Sequence, residues 1–283
     1  MAESVFKSSG SVTTILGMMN QFQSFANLDE YRLDLTTTLN AKYGVMAAVE
    51  PPSVPLLRYF GIGIQGYKNM DGNQGARPYT PSATDMDLYT PIPFRCVPVE
   101  TDLSATERQQ YRMRVVRTYN GVNYALYYLK LINWNPGVVQ LIAKDATTGA
   151  ETEYSLNPEH LNPTPTSFNV GGSVDTNTKR VIVRATGICE VTGAEVMEYV
   201  TAFCGGVLNN ARISEIGFYT GTDVTSDQDT TKEAVYVQLA KKRCTLGTDL
   251  SDPNSIMRPY VSFEASCCID PATSTVATTT TIE

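Results

Sequence analysis

The chain is short of the residues that do proton chemistry at neutral pH. It holds one histidine, His160, and one tryptophan in 283 residues. Hydrolytic triads need a base that exchanges a proton near pH 7, and histidine is the usual one. His160 sits in NPEHLNP, between prolines, an ordinary setting for a surface loop side chain. Neither a G-x-S-x-G elbow nor a G-x-x-x-x-G-K-[ST] phosphate loop occurs. The six cysteines, Cys96, Cys189, Cys204, Cys244, Cys267 and Cys268, never take C-x-x-C spacing. A zinc site would need distant thiols to converge with no local pair to start it. They read as buried or half-buried thiols of a reducing compartment. No run approaches the ~20 apolar residues of a spanning helix, and no A-x-A cleavage pattern follows the start. Charge is also scarce: 18% of residues are charged and the net charge is −7. That excludes a general basic footprint for nucleic acid. The short basic clusters ERQQYRMRVVR and AKKRC are interleaved with apolar positions and read as solvated faces or subunit contacts. Neither an enzyme nor a resident cofactor or metal is expected.

What is present points to β structure. GIGIQG at 61–66 has the spacing of a dinucleotide fingerprint. That motif needs a helix to begin at the glycines, because free helix N–H groups hold the pyrophosphate. Here the glycines lie inside LLRYFGIGIQGY, with Phe60, Ile62 and Ile64 on one strand face and Tyr59, Gly61 and Gly63 on the other. The following YKNMDGNQGARPYTPSATD has no helical period. The fingerprint fails on context, and the glycines mark a smooth strand side against which a backbone or a partner packs. Asn120-Gly121, set between apolar runs, is a type I′ hairpin signal. It pairs Tyr119 with Val122, Arg117 with Tyr124 and Val115 with Leu126. The second arm is apolar on both faces, as in a strand buried on both sides. A second hairpin spans 137–156 and turns at Thr147–Gly149; further strands fall at 179–186, 213–221, 234–245 and 258–269. Ser104 and Glu107 have capping-box spacing. GAEVMEYVTAF fits a helix through Val196, Tyr199, Val200 and Phe203, and a strand face through Met197, Tyr199 and Phe203.

The first fifty residues differ. Ile15, Met18, Met19, Phe22 and Phe25 recur at a helical period, with Asn27 as a cap and Gly44 as a stop. EPPSVP at 50–55 is a stiff breaker. The fold class expected is therefore α+β, mainly antiparallel β, with a short N-terminal helical region and sandwich-like lobes. The expected segments are a helical arm at 1–50, β-rich lobes at 51–172 and 173–270, and a Thr-rich tail at 271–283. That tail is either frayed or adds a strand to a neighbour. The acidic stretches TDMD (84–87) and TDVTSDQDTTKE (222–233) lack the glycine of a calcium loop and read as solvated hairpin tips. Calcium bridging between subunits stays open.

Longer phrases carry a resemblance. ISEIGFYTG (213–221), followed by EAVYVQLAKKRCTLGTDLSDPNSIM (233–257), resembles strand-and-loop segments of tailed-bacteriophage tail and baseplate proteins. DMDLYTPIPFRCVPVETDLSATERQQYRMR (85–114) is similar to a contractile-phage virion protein. Together these phrases cover about half the chain. The resemblance implies a virion structural protein of the baseplate, neck or tail, made in the host cytoplasm, and it brings no catalytic residues. Its partners would be other virion proteins and copies of itself in a multi-subunit assembly. The alternative it leaves is a receptor- or carbohydrate-binding tail module. Sixteen tyrosines and few charges suit interfaces of either kind. The candidate contact residues are Phe22, Phe25, Gly61, Gly63, Tyr79 and Tyr89.

Overall fold

The structure is a computed structural model that describes residues 11–13, 38–45, 55–69, 75–134, 140–145, 148–153, 179–225, 231–268 and 277–282. Its strands, in chain order, begin with β1 (Ser11–Thr13), β2 (Leu56–Gly63), β3 (Tyr67–Asn69), β4 (Ala76–Pro78), β5 (Pro91–Ile92) and β6 (Arg95–Pro98). Next come β7 (Tyr111–Tyr119), β8 (Val122–Leu131), β9 (Asn133–Trp134), β10 (Gln140–Asp145), β11 (Glu151–Glu153) and β12 (Lys179–Ile188). The series closes with β13 (Val191–Thr192), β14 (Arg212–Thr225), β15 (Lys232–Asp249), β16 (Ile256–Met257), β17 (Tyr260–Cys268) and β18 (Ala277–Ile282). Short α-helices span Leu39–Tyr43, Ala105–Arg108 and Gly193–Phe203. The fold class is α+β, mainly antiparallel β. No described helix is long and apolar enough to cross a membrane.

The chain divides into two units, Met1–Ile132 with Cys189–Pro259, and Asn133–Ile188 with Tyr260–Glu283. The units interleave along the sequence, whereas the expected segments ran consecutively with breaks at 50, 172 and 270. The reason is long-range strand pairing. β14 lies between β15 and β2, so residues 212–249 belong beside residues 56–63.

The first unit is built on an antiparallel sheet of order β1-β15-β14-β2-β8-β6, with β5 on β2 and β7 on β8. The β7–β8 hairpin has the register expected from Asn120-Gly121, which take φ of 49° and 78°. Both positive angles fit the twist of a two-residue hairpin. β2 is buried on both faces. Phe60 meets Phe94 edge-on at 5.1 Å on one side. On the other, Tyr59 joins Leu39, Met113, Leu129, Tyr219, Ala234, Val237 and Leu239 in one buried cluster. The long β14–β15 pair slips register between Ile213 and Glu215, Phe218 and Tyr219, and Thr220 and Thr222. Such irregularities add twist and bend to a sheet.

The helix Leu39–Tyr43 starts at Thr38, whose hydroxyl accepts the Ala41 N–H at 3.2 Å, and stops at Gly44 with φ 66°. Its buried Asn40 serves as a strand partner where β15 is irregular. The Asn40 amide donates to the Ala234 carbonyl at 2.8 Å, and its oxygen accepts the Val237 N–H at 2.6 Å. Between those residues Tyr236 has φ 54°. The side chain thus satisfies backbone groups that the local kink removes from the ladder. The helix Gly193–Phe203 resolves the ambiguous GAEVMEYVTAF stretch. A Thr192–Glu195 capping box starts it, which a strand could not use.

The second unit is an antiparallel sheet of order β11-β10-β12-β17-β18, with β9 on β12. The Thr-rich tail, expected to be frayed or added to a neighbour, forms β18 on β17 of its own chain, from Val261↔Ile282 to Ser266↔Ala277.

Candidate functional site

A cluster of buried ionic and backbone contacts in the first unit lies where residues 79–92 cross the sheet as a strap, meeting β15, β14 and β2 in turn. β2 delivers Gly61 and Gly63 to that crossing. A Cβ on Gly63 would stand 2.6 Å from Glu215 Oε2 and 2.7 Å from the Thr90 carbonyl. One on Gly61 would meet the Tyr219 ring at 3.0 Å, and one on Gly66 would enter the Ser214 carbonyl. The GIGIQG glycines therefore make room for the backbone and side chains of this chain itself.

Glu215 fills the space left at Gly63 and Gly66. Its side chain has no solvent exposure. Oε1 accepts the Tyr89 N–H at 2.8 Å, and Oε2 accepts those of Thr90 at 3.0 Å and Gln65 at 3.3 Å. One carboxylate thus ties the strap and the end of β2 to β14. Ser214 adds its hydroxyl, which accepts the Gly66 N–H at 2.8 Å.

Lys242 approaches from β15, also fully buried. Its Nζ lies 3.2 Å from Asp85 Oδ2, 3.2 Å from the Asp87 carbonyl and 3.5 Å from Glu215 Oε1. The Tyr89 ring covers it, centroid 3.0 Å away. The Tyr89 hydroxyl donates to Asp85 Oδ2 at 3.2 Å. Burial, and then the Asp85 carboxylate, push that phenol up to about 12. Asp87 pairs with Lys42 and accepts the Tyr43 hydroxyl at 3.3 Å. Burial first and Asp87 second hold the Tyr219 phenol protonated far above its ordinary range. A cavity of about 10 Å³ lies below, lined by Leu39, Tyr43, Asp87, Leu88, Met113 and Tyr219 among others. It has room for about one water, not for a substrate. Among the described residues no group of His, Cys, Asp and Glu is placed to hold a metal.

A second ionic cluster lies where β7 comes near β15. Arg112, with 2% of its side chain exposed, makes a two-pronged contact with Asp223, Nε to Oδ1 at 2.8 Å and Nη2 to Oδ2 at 3.0 Å. Its Nη1 donates to the carbonyls of Arg108, Gln109 and Tyr111 at 2.8–3.1 Å. The Tyr59 hydroxyl donates to Asp223 at 2.7 Å. Beside it, Glu233 accepts the N–H groups of Met113 at 2.6 Å, Ala234 at 2.8 Å and Arg114 at 3.3 Å. It holds Met113 at φ 57°, a conformation that costs energy in a non-glycine residue. Burial pushes the Glu233 carboxyl up even so. A third cluster docks the helix Gly193–Phe203. Glu195 Oε1 accepts Tyr111 at 2.6 Å and Lys130 at 2.7 Å, and Glu198 takes Arg95 Nε at 3.0 Å.

These clusters correct two readings of the sequence. Asp85, Asp87, Asp223 and Glu233 are not solvated, each being engaged by a cation, a phenol or backbone N–H groups; Asp227 and Asp229, at the tip itself, lie outside the described residues. Lys241, Lys242 and Arg243 of AKKRC are not on a solvated face, being 4%, 0% and 0% exposed. Burial, then the neighbouring Arg243, pull Lys241 down to about 8. Cys96, Cys189 and Cys244 are buried free thiols and Cys204 is half-buried, as expected.

Of the candidate contact residues, Gly61 and Gly63 are buried within the sheet. Tyr79 and Tyr89 are exposed and meet edge-on at 5.5 Å. Phe22 and Phe25 lie outside the described residues. A surface the sequence reading missed is the β7–β8 tip, where Tyr119 and Val122 on one face are 37% and 42% exposed and Val116 on the other is 42% exposed. The Tyr119 ring lies 4.8 Å from Phe203, which also meets Tyr124 and Tyr199. The signal was available: the TYNGV turn, residues 118–122, puts its flanking Tyr119 and Val122 at the end of a hairpin.

Residues 1–241 match the model of a family of unknown function (DUF7208). No curated protein and no solved structure matches the chain.

Proposed function

We propose that this chain, which belongs to the DUF7208 family, is a structural subunit of a bacteriophage tail or baseplate, acting through contacts with copies of itself and with other virion proteins. The observation that carries the reading is the apolar β7–β8 tip. On one face of the hairpin end the paired Tyr119 and Val122, backed by the Tyr119–Phe203–Tyr124 cluster, form a stiff and water-exposed apolar surface, while Val116, paired with Ala125, is exposed on the other face. Such surfaces mark places where another protein packs. The ionic clamps under the strap and around Arg112 support the same reading. They fix the surface loops of the first unit to its sheet, so that little loop ordering is left to oppose assembly. The resemblance of 85–114, 213–221 and 233–257 to tail and baseplate proteins gives the setting.

A double substitution tests it. Val116→Asp with Val122→Asp changes only exposed side chains, so the chain keeps its stability to within about 0.5 kcal/mol. Incorporation into particles, read by mass spectrometry of purified virions after complementation, falls at least about tenfold, the equivalent of ~1.4 kcal/mol of contact energy. Normal incorporation would count against the tip as a contact. A second reading, carbohydrate binding by a tail module, draws on the exposed Tyr79–Tyr89 pair. Glycan binding abolished by Tyr79→Ala, with incorporation intact, would favour it instead.

A further inference from the structure

We propose that Lys242 and Asp85 become joined by an isopeptide bond inside the folded first unit, with Glu215 carrying the protons. The geometry assembles every group that this condensation needs. Lys242 and Glu215 have no exposed side-chain surface, and the Asp85 side chain is 16% exposed. Nζ is 3.2 Å from the Asp85 carboxylate and 3.5 Å from that of Glu215. The Tyr89 ring shuts water from one side of the nitrogen, and its hydroxyl holds the carboxylate under attack. Three backbone N–H groups lock the Glu215 carboxylate in place.

The step balances without an oxidant or an outside reagent. Glu215 takes one proton from the Lys242 ammonium. The amine attacks Cγ of Asp85, forming the N–C bond. The proton on Glu215 and a second one from nitrogen pass to one carboxyl oxygen, the C–O bond breaks, and water leaves. An ammonium and a carboxylate thus become a neutral amide and one water, and Glu215 is returned as it began. Burial favours the product, because two charges that are costly in a water-poor interior are replaced by one amide. The amine and the carboxylate are already held in contact, Nζ to Oδ2 at 3.2 Å, which supplies the effective concentration that condensation requires. The same strap holds a contrast. Lys42 also pairs with a carboxylate, Asp87, but is 49% exposed, so its ammonium keeps its water and has no reason to react. The bond would lock the strap to β15 covalently, whatever particle the chain serves, so its fate is separate from that of the proposed function.

Intact-mass measurement of the purified, denatured full-length chain decides the matter. The expected mass is below that of the sequence by one water. A tryptic digest should give one branched peptide linking the segments that hold Asp85 and Lys242, uncut after Lys242. Lys242→Arg and Asp85→Ala restore the full mass. Glu215→Gln, confirmed folded by circular dichroism, also keeps the full mass, which separates the proton carrier from a merely structural role. A folded wild-type chain at its full sequence mass would overturn the proposal, as would a water loss that maps to other residues.

Discussion

Replacing Arg112 with alanine lowers the unfolding free energy of the first unit by about 3–5 kcal/mol, the usual result of removing one partner from a buried ion pair. The estimate sits at this end of the scale for three reasons. The guanidinium is 2% exposed. Its loss strands Asp223 beside the Tyr59 hydroxyl. It also leaves the carbonyls of Arg108, Gln109 and Tyr111 without the donor that now serves all three. Arg112→Lys should recover little, since an ammonium cannot span a carboxylate and three carbonyls as a planar fork does. The effect has a pH signature. Burial alone would raise the Asp223 pKa, but the hydrogen bonds from Arg112 and Tyr59 outweigh it and hold the carboxyl below its ordinary range. A carboxylate depressed in this way contributes stability above the unfolded value, about 3.9 for Asp. That contribution is lost as pH falls through the folded value. The gap between wild type and Arg112→Ala in urea denaturation should therefore be full at pH 7 and narrow below about pH 4. A gap under about 1 kcal/mol at pH 7 would show that the pair is no more than a surface contact.

Gly66→Ala should be nearly as costly, about 3 kcal/mol, the upper end of overpacking penalties. The added methyl runs into the Ser214 carbonyl, and backbone on a central strand cannot move aside as a side-chain tip can. Gly63→Ala should cost about 1–3 kcal/mol, because its methyl displaces Glu215 Oε2 and the Thr90 carbonyl together. The useful control is Gly149→Ala. That glycine has φ 70° and open space around its Cβ position, so only the left-handed backbone penalty of about 1–2 kcal/mol applies. Thermal unfolding followed by circular dichroism ranks the three. Gly66→Ala at or below the cost of Gly149→Ala would mean that the β2–β14 approach is looser than the structure has it.

The glycines of GIGIQG show which parts of this chain could be read from its sequence. Local signals carried well. Asn120-Gly121 fixed the β7–β8 register, Ser104 and Glu107 made their capping box, and the absence of a helix after GIGIQG removed the nucleotide reading. Each of those depends on residues within a few positions of one another. What filled the glycine space was not legible, because Glu215 stands about 150 positions further on and arrives only through the β14–β2 pairing. The same distance hid the fate of the charged stretches. Lys242 of AKKRC and Asp223 of TDVTSDQDTTKE read as solvated because each stands in a short cluster of charges, while their partners in space, Asp85 and Arg112, belong to strap and hairpin. Asn40 gave no signal at all, since nothing in LNAKY announces that β15 will kink at Tyr236. Buried ion pairs assembled across a sheet leave composition unchanged and periodicity only slightly disturbed.

The central claim is that the β7–β8 tip is covered by another virion protein or a second copy. Hydroxyl-radical footprinting of Val116, Tyr119 and Val122, in the purified chain and in purified tails, reads this side chain by side chain. The account requires strong labelling of all three in the free chain and protection in the tail, while the exposed Val207 and Leu208 provide an internal reference. Equal labelling of the tip in both states would contradict it.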